Sequence, residues 1–298
     1  MPTMLTNLTK LGLLIIKPLV FTLKLPAARR VQERVSVMLA RPRMKHLLMV
    51  DAPFENFRAR WLVPKADMDA ENYIIFFHGG GYASGGLECA MCFGSALALE
   101  TRRRVLCVDY RLAPEHPFPA ALDDAIAAYK NMLDAGIAAE RIALCGESAG
   151  GGLIYALFLK LKEEGLPLPQ CLAAVSPWAD LSLIGESYNI NCRRDPSLGW
   201  KWLRHYAALY AGEDVRNPLV SPVFGDMAGC PPSLILAGDT EMLLDDARTL
   251  RDKLVEAGSV CELEIARGMW HVYPLYPVRE AREAKRRISK FMEDMGKN

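Results

Sequence analysis

The sequence lacks an excess of charge of either sign, because 36 Lys and Arg residues balance 35 Asp and Glu residues over 298 positions. Without a strongly basic surface, there is no electrostatic basis for nucleic-acid binding. Internal repeats, low-complexity tracts and flexible linkers are also absent from the sequence. Hydrophobic residues make up 51% of the chain and charged residues 24%, which is typical of a globular protein. These features exclude a fibrous or disordered chain and predict one large domain with a buried core.

Cysteine is scarce for a chain of this length, with eight residues. A domain of this size does not need a disulfide framework to fold. Cys89 and Cys92 form a lone CxxC with no second pair at zinc spacing, which argues against a structural zinc site. Cys107 and Cys145 lie in apolar runs, where a free thiol behaves as a small hydrophobic group. The simplest compartment for such a chain is the reducing cytoplasm, and we predict a cytoplasmic location.

No hydrophobic run in the sequence is long enough to span a membrane. The best candidate extends from Leu11 to Leu25, but Lys17, Pro18 and Lys24 interrupt it, and a spanning helix needs about 20 apolar residues. One interpretation is an amphipathic segment that associates with a membrane surface. We favour the other, a helix that packs against the rest of the protein by burying its apolar stripe, without stable membrane insertion.

From about Phe57 onward, short β-branched or aromatic runs alternate with segments of helical periodicity. This alternation indicates βαβ units and a mostly parallel sheet covered by helices on both faces. Residues 1–50 and about 181–211 do not fit the alternation and are predicted to be helical additions to the core. Ligands of open α/β sheets bind beyond the carboxyl ends of the strands, where insertions commonly form a lid. The predicted strands are 57–63, 73–77, 105–109, 141–145, 171–175, 233–237 and 261–265, and the predicted core helices are 119–133, 149–163, 242–257 and 278–292.

The most informative motif is a GxSxG segment, Gly146-Glu147-Ser148-Ala149-Gly150. It lies between a predicted strand and a predicted helix, which is the context in which this motif exposes a nucleophilic serine. Side chains at Gly146 and Gly150 would clash with neighbouring backbone in so tight a turn. Ser148 would then stand at a helix N-terminus, where amides and the helix dipole favour developing negative charge.

A serine hydroxyl needs a general base, and the chain has only five histidines. Enzymes with a GxSxG serine at such a turn have the chain order nucleophile, acid, histidine. His271 satisfies this order, whereas His205 lies in the predicted lid and has no acid on a post-strand loop before it. The acid should follow the strand 233–237, where Asp239 and Glu241 are both candidates, and their spacing does not decide between them.

A glycine-rich segment, His78-Gly79-Gly80-Gly81, directly follows the predicted strand 73–77. Glycines allow backbone N–H groups to turn inward without a Cβ in the way. The amides of Gly79, Gly80 and Ala149 are therefore predicted to form an oxyanion hole. An ordinary turn or a phosphate loop is the alternative, but neither GxGxxG nor GxxxxGK[ST] follows here. His78 is predicted to support the loop rather than to act as a base.

These motifs together resemble the hormone-sensitive-lipase family of α/β-hydrolase carboxylesterases, and its bacterial esterase branch in particular. The resemblance covers about residues 57–295. Beside the two motifs above, it includes DYRLAPEHPFPA at 109–120, SPWADL at 176–181 and SPVFGD at 221–226. It implies the α/β-hydrolase fold, with residues 1–50 as an N-terminal helical lid segment, residues 51–298 as the catalytic domain, and further lid helices at about 181–211.

The resemblance also bears on the site and the reaction. It implies Glu241 as the acid rather than Asp239, because Glu241 aligns with the first residue of the family's D-x-L-x-D-[DE] motif, where one branch carries Glu. The implied enzyme is a serine esterase that hydrolyses short- to medium-chain carboxylic esters through an acyl-enzyme intermediate, with no cofactor or metal. The partner is a small-molecule ester, and a homodimer is compatible, often formed in the family through the last strand and helix, here 261–265 and 278 onward.

Several alternative functions remain open from the sequence. A lactonase, an amidase or a deacetylase would use the same three residues, and a membrane-associated lipase would use the N-terminal run to dock on lipid. A ligand-binding receptor on the same fold typically lacks one member of the triad, usually the histidine. Because Ser148, Glu241 and His271 are all present, an enzyme is the stronger prediction.

Overall fold

The computed structural model describes residues 2–297 and shows an eight-stranded sheet between two layers of helices. The strand order is β1-β2-β4-β3-β5-β6-β7-β8. The β1–β2 and β2–β4 pairs are antiparallel, and all other neighbours are parallel. The elements are α1 (Met4–Val20), α2 (Leu25–Met44), β1 (Leu47–Ala52), β2 (Arg58–Pro64), β3 (Tyr73–Phe77), α3 (Leu87–Thr101), β4 (Arg104–Asp109), α4 (Ala120–Asp134), β5 (Ile142–Glu147), α5 (Ala149–Glu163), β6 (Cys171–Val175), α6 (Ser187–Ile190), α7 (Trp200–Ala211), β7 (Ser233–Gly238), α8 (Leu244–Glu256), β8 (Cys261–Ala266) and α9 (Arg279–Met295).

The central strands are buried on both faces and separate two hydrophobic cores. Successive side chains of a strand point to opposite faces, so Ile75 and Phe77 of β3 enter one core while Ile74 and Phe76 enter the other. The first core is closed by α4, α5 and α8, and the second by α3 and α9. The predicted mostly parallel sheet with helices on both faces is therefore confirmed.

Two elements differ from the sequence prediction. Residues 1–50 are not helical throughout, because β1 begins at Leu47 and pairs with β2 at the edge of the sheet. Only Leu47 of this strand is buried, so its sequence lacks the buried face that marks an internal strand. The helix α3 was not predicted. It is buried on most of its surface between α2, α9 and the sheet, and so it has no clear polar face.

The helix α1 lies against the protein, but not through the predicted apolar stripe. Its polar side chains make the contacts: the Thr6 hydroxyl donates to Glu280 at 2.7 Å, and Lys10 donates to the Thr240 hydroxyl at 2.7 Å. Lys17 donates to the backbone carbonyl of Asp195 at 2.6 Å. Most of the apolar residues face outward, so the expected burial of the stripe is wrong. None of the helices described here is both long and apolar enough to cross a bilayer.

Candidate active site

The carboxyl ends of four neighbouring strands, β5 to β8, place four side chains close together. Ser148 directly follows β5, and Ser176 directly follows β6. Glu241 lies three residues beyond the end of β7, and His271 lies on the loop after β8. Because parallel strands end at the same edge of a sheet, residues that are distant in the chain meet there.

Ser148 occupies the sharp turn between β5 and α5. Its backbone has φ 53° and ψ −119°, a conformation that side chains rarely adopt and that strained functional turns maintain. A Cβ on Gly146 would overlap the carbonyl oxygen of Gly150, and a Cβ on Gly150 would overlap that of Phe77. The turn therefore requires glycine at both positions.

The imidazole of His271 is buried beside the nucleophile candidate, with its Nε2 atom 2.9 Å from Oγ of Ser148. Burial lowers the pKa of His271 to about 3, so the ring is neutral at neutral pH and can accept a proton. His205, by contrast, lies exposed on α7.

Glu241 is fully buried, and its Oε2 atom accepts hydrogen bonds from the Ser176 hydroxyl at 2.7 Å and from the Gly238 amide at 2.9 Å. Burial raises the pKa of Glu241 to about 8, and these two donors oppose the shift by favouring the ionised form. Its other oxygen, Oε1, and the Nδ1 atom of His271 are both buried without a hydrogen-bond partner among residues 2–297. The two unpaired atoms have complementary chemistry, since a carboxylate oxygen accepts and a ring N–H donates.

Asp239, the alternative acid, makes a different contact. Its Oδ1 atom accepts a hydrogen bond of 2.6 Å from the amide of Gly268, on the loop that leads to His271. Its carboxylate thus holds the loop rather than the imidazole.

The glycine-rich loop after β3 lies against the serine, since a Cβ on Gly79 would be 2.9 Å from Cβ of Ser148. The amide of Gly79, however, donates to Oε1 of Glu147 at 3.1 Å. In this structure the N–H of Gly79 thus already has an acceptor, which disfavours the predicted contribution of Gly79 to the oxyanion hole. The amides of Gly80, Gly81 and Ala149 have no acceptor within the described part of the chain.

His78 supports this loop from the inside. Its ring is fully buried, stacks on Tyr110 with ring centroids 4.4 Å apart, and donates through Nδ1 to the Gly79 carbonyl at 2.7 Å. The Tyr110 hydroxyl in turn donates to the backbone carbonyl of His78 at 2.7 Å. Burial lowers the pKa of His78, which keeps the ring neutral.

Three further residues of the site were not singled out from the sequence. Ser176 contacts Glu241 as above and also accepts a hydrogen bond of 3.0 Å from the amide of Val272. Asp195, fully buried, accepts a hydrogen bond of 2.9 Å from the amide of Met242, next to the acid. Glu147 is buried beside the serine, and burial raises its pKa to about 7. The signal for Ser176 was its place at the start of SPWADL, directly after a strand, whereas no sequence pattern marked Asp195.

A cavity of about 380 Å³ opens above the serine and the histidine. This volume falls within the range of about 300–1,000 Å³ typical of small-molecule sites. Much of the wall comes from α1 and α2, and the lining is largely apolar. Cys89 and Cys92 contribute to the wall, and all eight cysteines are free. Among residues 2–297, no group of three or more His, Cys, Asp or Glu side chains is placed to hold a metal ion.

Known proteins share both the fold and much of the sequence of this chain. A family model described as an alpha/beta hydrolase fold matches residues 74–275. An acetyl-hydrolase of Streptomyces hygroscopicus is 41% identical over 219 residues, which cover 73% of each chain. The crystal structure of a hormone-sensitive lipase from a metagenome library has a TM-score of 0.90 and 34% identity, and covers 96% of this chain and 97% of that one. The esterase EstE5, in crystals soaked with p-nitrophenyl butyrate, has a TM-score of 0.88 and 31% identity over 96% of this chain and 99% of that one.

Proposed function

This chain belongs to the α/β-hydrolase family, among the bacterial hormone-sensitive-lipase-type carboxylic ester hydrolases, and we propose that it cleaves short- to medium-chain esters through Ser148, His271 and Glu241. The single observation that carries the proposal is the 2.9 Å separation between Oγ of Ser148 and Nε2 of a buried, neutral His271. A nucleophile within hydrogen-bond reach of its base is the arrangement that covalent acyl transfer needs.

In the proposed reaction, His271 takes the proton of Ser148 as the serine oxygen attacks the ester carbonyl. Glu241 accepts the Nδ1–H of His271 through its unpaired oxygen Oε1, which fixes the tautomer and stabilises the imidazolium. The imidazolium then protonates the leaving alcohol, and an acyl-enzyme remains on Ser148. A water molecule that His271 activates releases the carboxylic acid and restores the serine.

The tetrahedral oxyanion is stabilised by backbone amides, for which we propose Gly80, Gly81 and Ala149. Each lacks another acceptor among residues 2–297, and Gly80 and Gly81 also line the cavity. Removing one such donor typically costs about 2.7–4 kcal/mol of transition-state stabilisation. Two sets of lid elements close the cavity in this proposal: α1 and α2 from residues 1–50, and α7 with the preceding loop from residues 181–211.

The proposed acyl range is supported by the cavity and by two relatives. The name of the Streptomyces relative gives an acetyl group, and the ester soaked into the EstE5 crystals carries a butyryl group. Trp202 and Tyr206 of α7 form part of the cavity wall and restrict its width. We further propose that the protein is cytoplasmic and acts on small-molecule esters, and that any homodimer forms through β8, the outer strand of the sheet, together with α9.

The test is hydrolysis of a p-nitrophenyl ester series from acetate to palmitate, with Ser148→Ala as the matched control. We expect turnover that falls steeply beyond about eight carbons, because the cavity is of small-molecule size, and loss of turnover in the variant. Wild-type turnover in Ser148→Ala would overturn the site, and strong activity on palmitate would overturn the acyl range. Matched lactone and amide substrates test the alternatives: rates above the ester rate would replace the esterase by a lactonase or an amidase.

A further inference from the structure

The helix α1 turns its polar face towards the protein and its apolar face outward, the reverse of an ordinary surface helix. Its polar side chains Thr6, Lys10 and Lys17 point into the protein and are hydrogen-bonded there, as described above. Burial lowers the pKa of both lysines, in keeping with their inward position. Surface helices of globular proteins normally place the apolar face inward. An inverted helix therefore leaves its apolar face without a partner among the described residues.

The outward face of α1 is a continuous apolar stripe. Its residues recur every three or four positions and are largely exposed, with Met4 at 78%, Ile15 at 69% and Leu19 at 70%. Leu8 and Leu11 lie between them and are exposed by more than half. Contiguous exposed apolar surface of this kind marks an interaction site rather than a solvated surface.

The charge of the N-terminal segment indicates the chemistry of the partner. Residues 2–45 contain nine Lys and Arg residues against one acidic residue, whereas the whole chain has a net charge of +1. On α2, the side chains of Arg30, Arg34 and Arg41 are exposed and form no ion pair within residues 2–297. The exposed residues Val31, Val35 and Met38 lie between them on the same outward side of the helix. Apolar residues beside unpaired cations are the pattern of helices that adsorb to anionic lipid.

The apolar surface extends to the mouth of the active-site cavity. Ile16 of α1 and Val31 and Val35 of α2 are each exposed by more than 40%, and each also lines the cavity. A partner bound to this apolar surface would thus also cover the entrance to the cavity.

We propose that α1 and α2 form a docking face for an anionic lipid bilayer, on which the enzyme adsorbs without spanning it and takes ester substrate from the lipid surface. The part about substrate rests on the proposed function. The docking face is defined by the α1 stripe (Met4, Leu8, Leu11, Ile15 and Leu19) and the exposed arginines of α2 (Arg30, Arg34 and Arg41). A second copy of the chain would be less well suited, because the like charges of two such faces repel each other.

The experiment is vesicle flotation of the full chain with phosphatidylcholine alone and with equal parts of phosphatidylcholine and phosphatidylglycerol. We expect binding to the mixed vesicles that weakens at high salt. The variant Leu8→Gln/Ile15→Gln/Leu19→Gln should lower vesicle affinity at least about tenfold. Arg30→Gln/Arg34→Gln/Arg41→Gln should remove the preference for the anionic lipid.

Matched controls change exposed residues elsewhere: Val255→Gln/Val260→Gln for the apolar stripe and Arg282→Gln/Lys290→Gln for the cations. Vesicle affinity that falls equally in the controls, or no vesicle binding at all, would overturn the proposal. A dimer in lipid-free solution that the α1 variant dissociates, without vesicle binding, would instead assign the face to self-association and also overturn it.

Activity measurements separate this proposal from the proposed function. Hydrolysis of dissolved p-nitrophenyl acetate should be unchanged in the α1 variant, while hydrolysis of p-nitrophenyl octanoate carried in mixed vesicles should fall with vesicle binding. An equal octanoate rate in wild type and variant would overturn delivery from lipid. Wild-type turnover in Ser148→Ala would overturn the esterase site without affecting vesicle binding.

Discussion

The hydroxyl of Ser176 donates a hydrogen bond of 2.7 Å to the carboxylate of Glu241, while its oxygen accepts the amide of Val272, the residue after His271. One side chain thus links the acid loop after β7 to the histidine loop after β8. This contact leads to a prediction about pH dependence.

Replacing Ser176 by Ala should move the acid limb of kcat/KM to higher pH. The hydroxyl favours the ionised form of Glu241, so its loss raises a pKa that burial has already raised, and the active carboxylate is lost at a higher pH. A hydrogen bond to a charged group contributes about 1.5–3 kcal/mol, which corresponds to about 1 to 2 pH units. The measurement is the pH profile of p-nitrophenyl butyrate hydrolysis, with Ser233→Ala, a buried serine on β7, as the control. An acid limb that stays in place, or moves to lower pH, would contradict the role of Ser176.

Glu241→Gln should lower kcat by about four orders of magnitude, because an amide in place of the carboxylate no longer fixes the histidine tautomer. Asp239→Asn is the matched comparison and should change kcat by less than about tenfold, since the amide oxygen can still accept the Gly268 amide. Steady-state kinetics on one short ester measures both. A larger loss in Asp239→Asn than in Glu241→Gln would reverse the assignment of the acid.

Gly150→Ala should destabilise the fold by about 1–3 kcal/mol or more, because the new Cβ would overlap the backbone carbonyl of Phe77. Neither that carbonyl, at the end of β3, nor α5 can move without disturbing the serine turn. The control is Gly12→Ala on α1, where the added Cβ has no neighbour within 4 Å among residues 2–297 outside its own stretch of helix, and no loss of stability is expected. Urea denaturation measures both variants, and equal midpoints for Gly150→Ala and wild type would refute this account of the turn.

Arg29→Ala should release α2 from the core. The guanidinium donates to the carbonyls of Ala83 and Ala113 and to both oxygens of Glu115, each at 2.8 Å. Hydrogen bonds from a charged donor contribute about 1.5–3 kcal/mol. The loss of these bonds should therefore make local opening of α2 at least about tenfold more frequent. Hydrogen exchange of residues 25–44 measures this. The control is Arg30→Ala, because Arg30 is exposed and forms no ion pair within residues 2–297. The same exchange rates in the two variants would show that Arg29 does not anchor the helix.

The sequence was informative where one physical cause dominated. Strands buried on both faces, such as β3 and β6, appear as short apolar runs. The strand–helix turn at Ser148 requires glycine at positions 146 and 150, which makes its motif recognisable. Chain order then separated His271 from His205, and the structure leaves His205 exposed on α7.

Other features depend on contacts that a sequence does not encode locally. The N–H of Gly79 donates to Glu147, and no pattern in a run of three glycines indicates that partner. Periodicity located the stripe of α1, but not the side on which it would lie. The orientation of α1 is set by hydrogen bonds from its polar side chains to Glu280, Thr240 and Asp195, which are distant in the sequence.

The attachment of α1 has a thermodynamic consequence for the reaction. Lys10 is bound to Thr240 and to the Gly268 carbonyl, and Lys17 is bound to Asp195, whose carboxylate holds the Met242 amide. These contacts lie beside the acid and on the loop that leads to the base, so the free energy of detaching α1 and the free energy of ordering these loops are linked. Linkage is reciprocal: if detachment of the helix weakens ester binding by some factor, bound ester makes the helix harder to detach by the same factor. Attachment of α1 and binding of the ester would then stabilise each other by the same free energy.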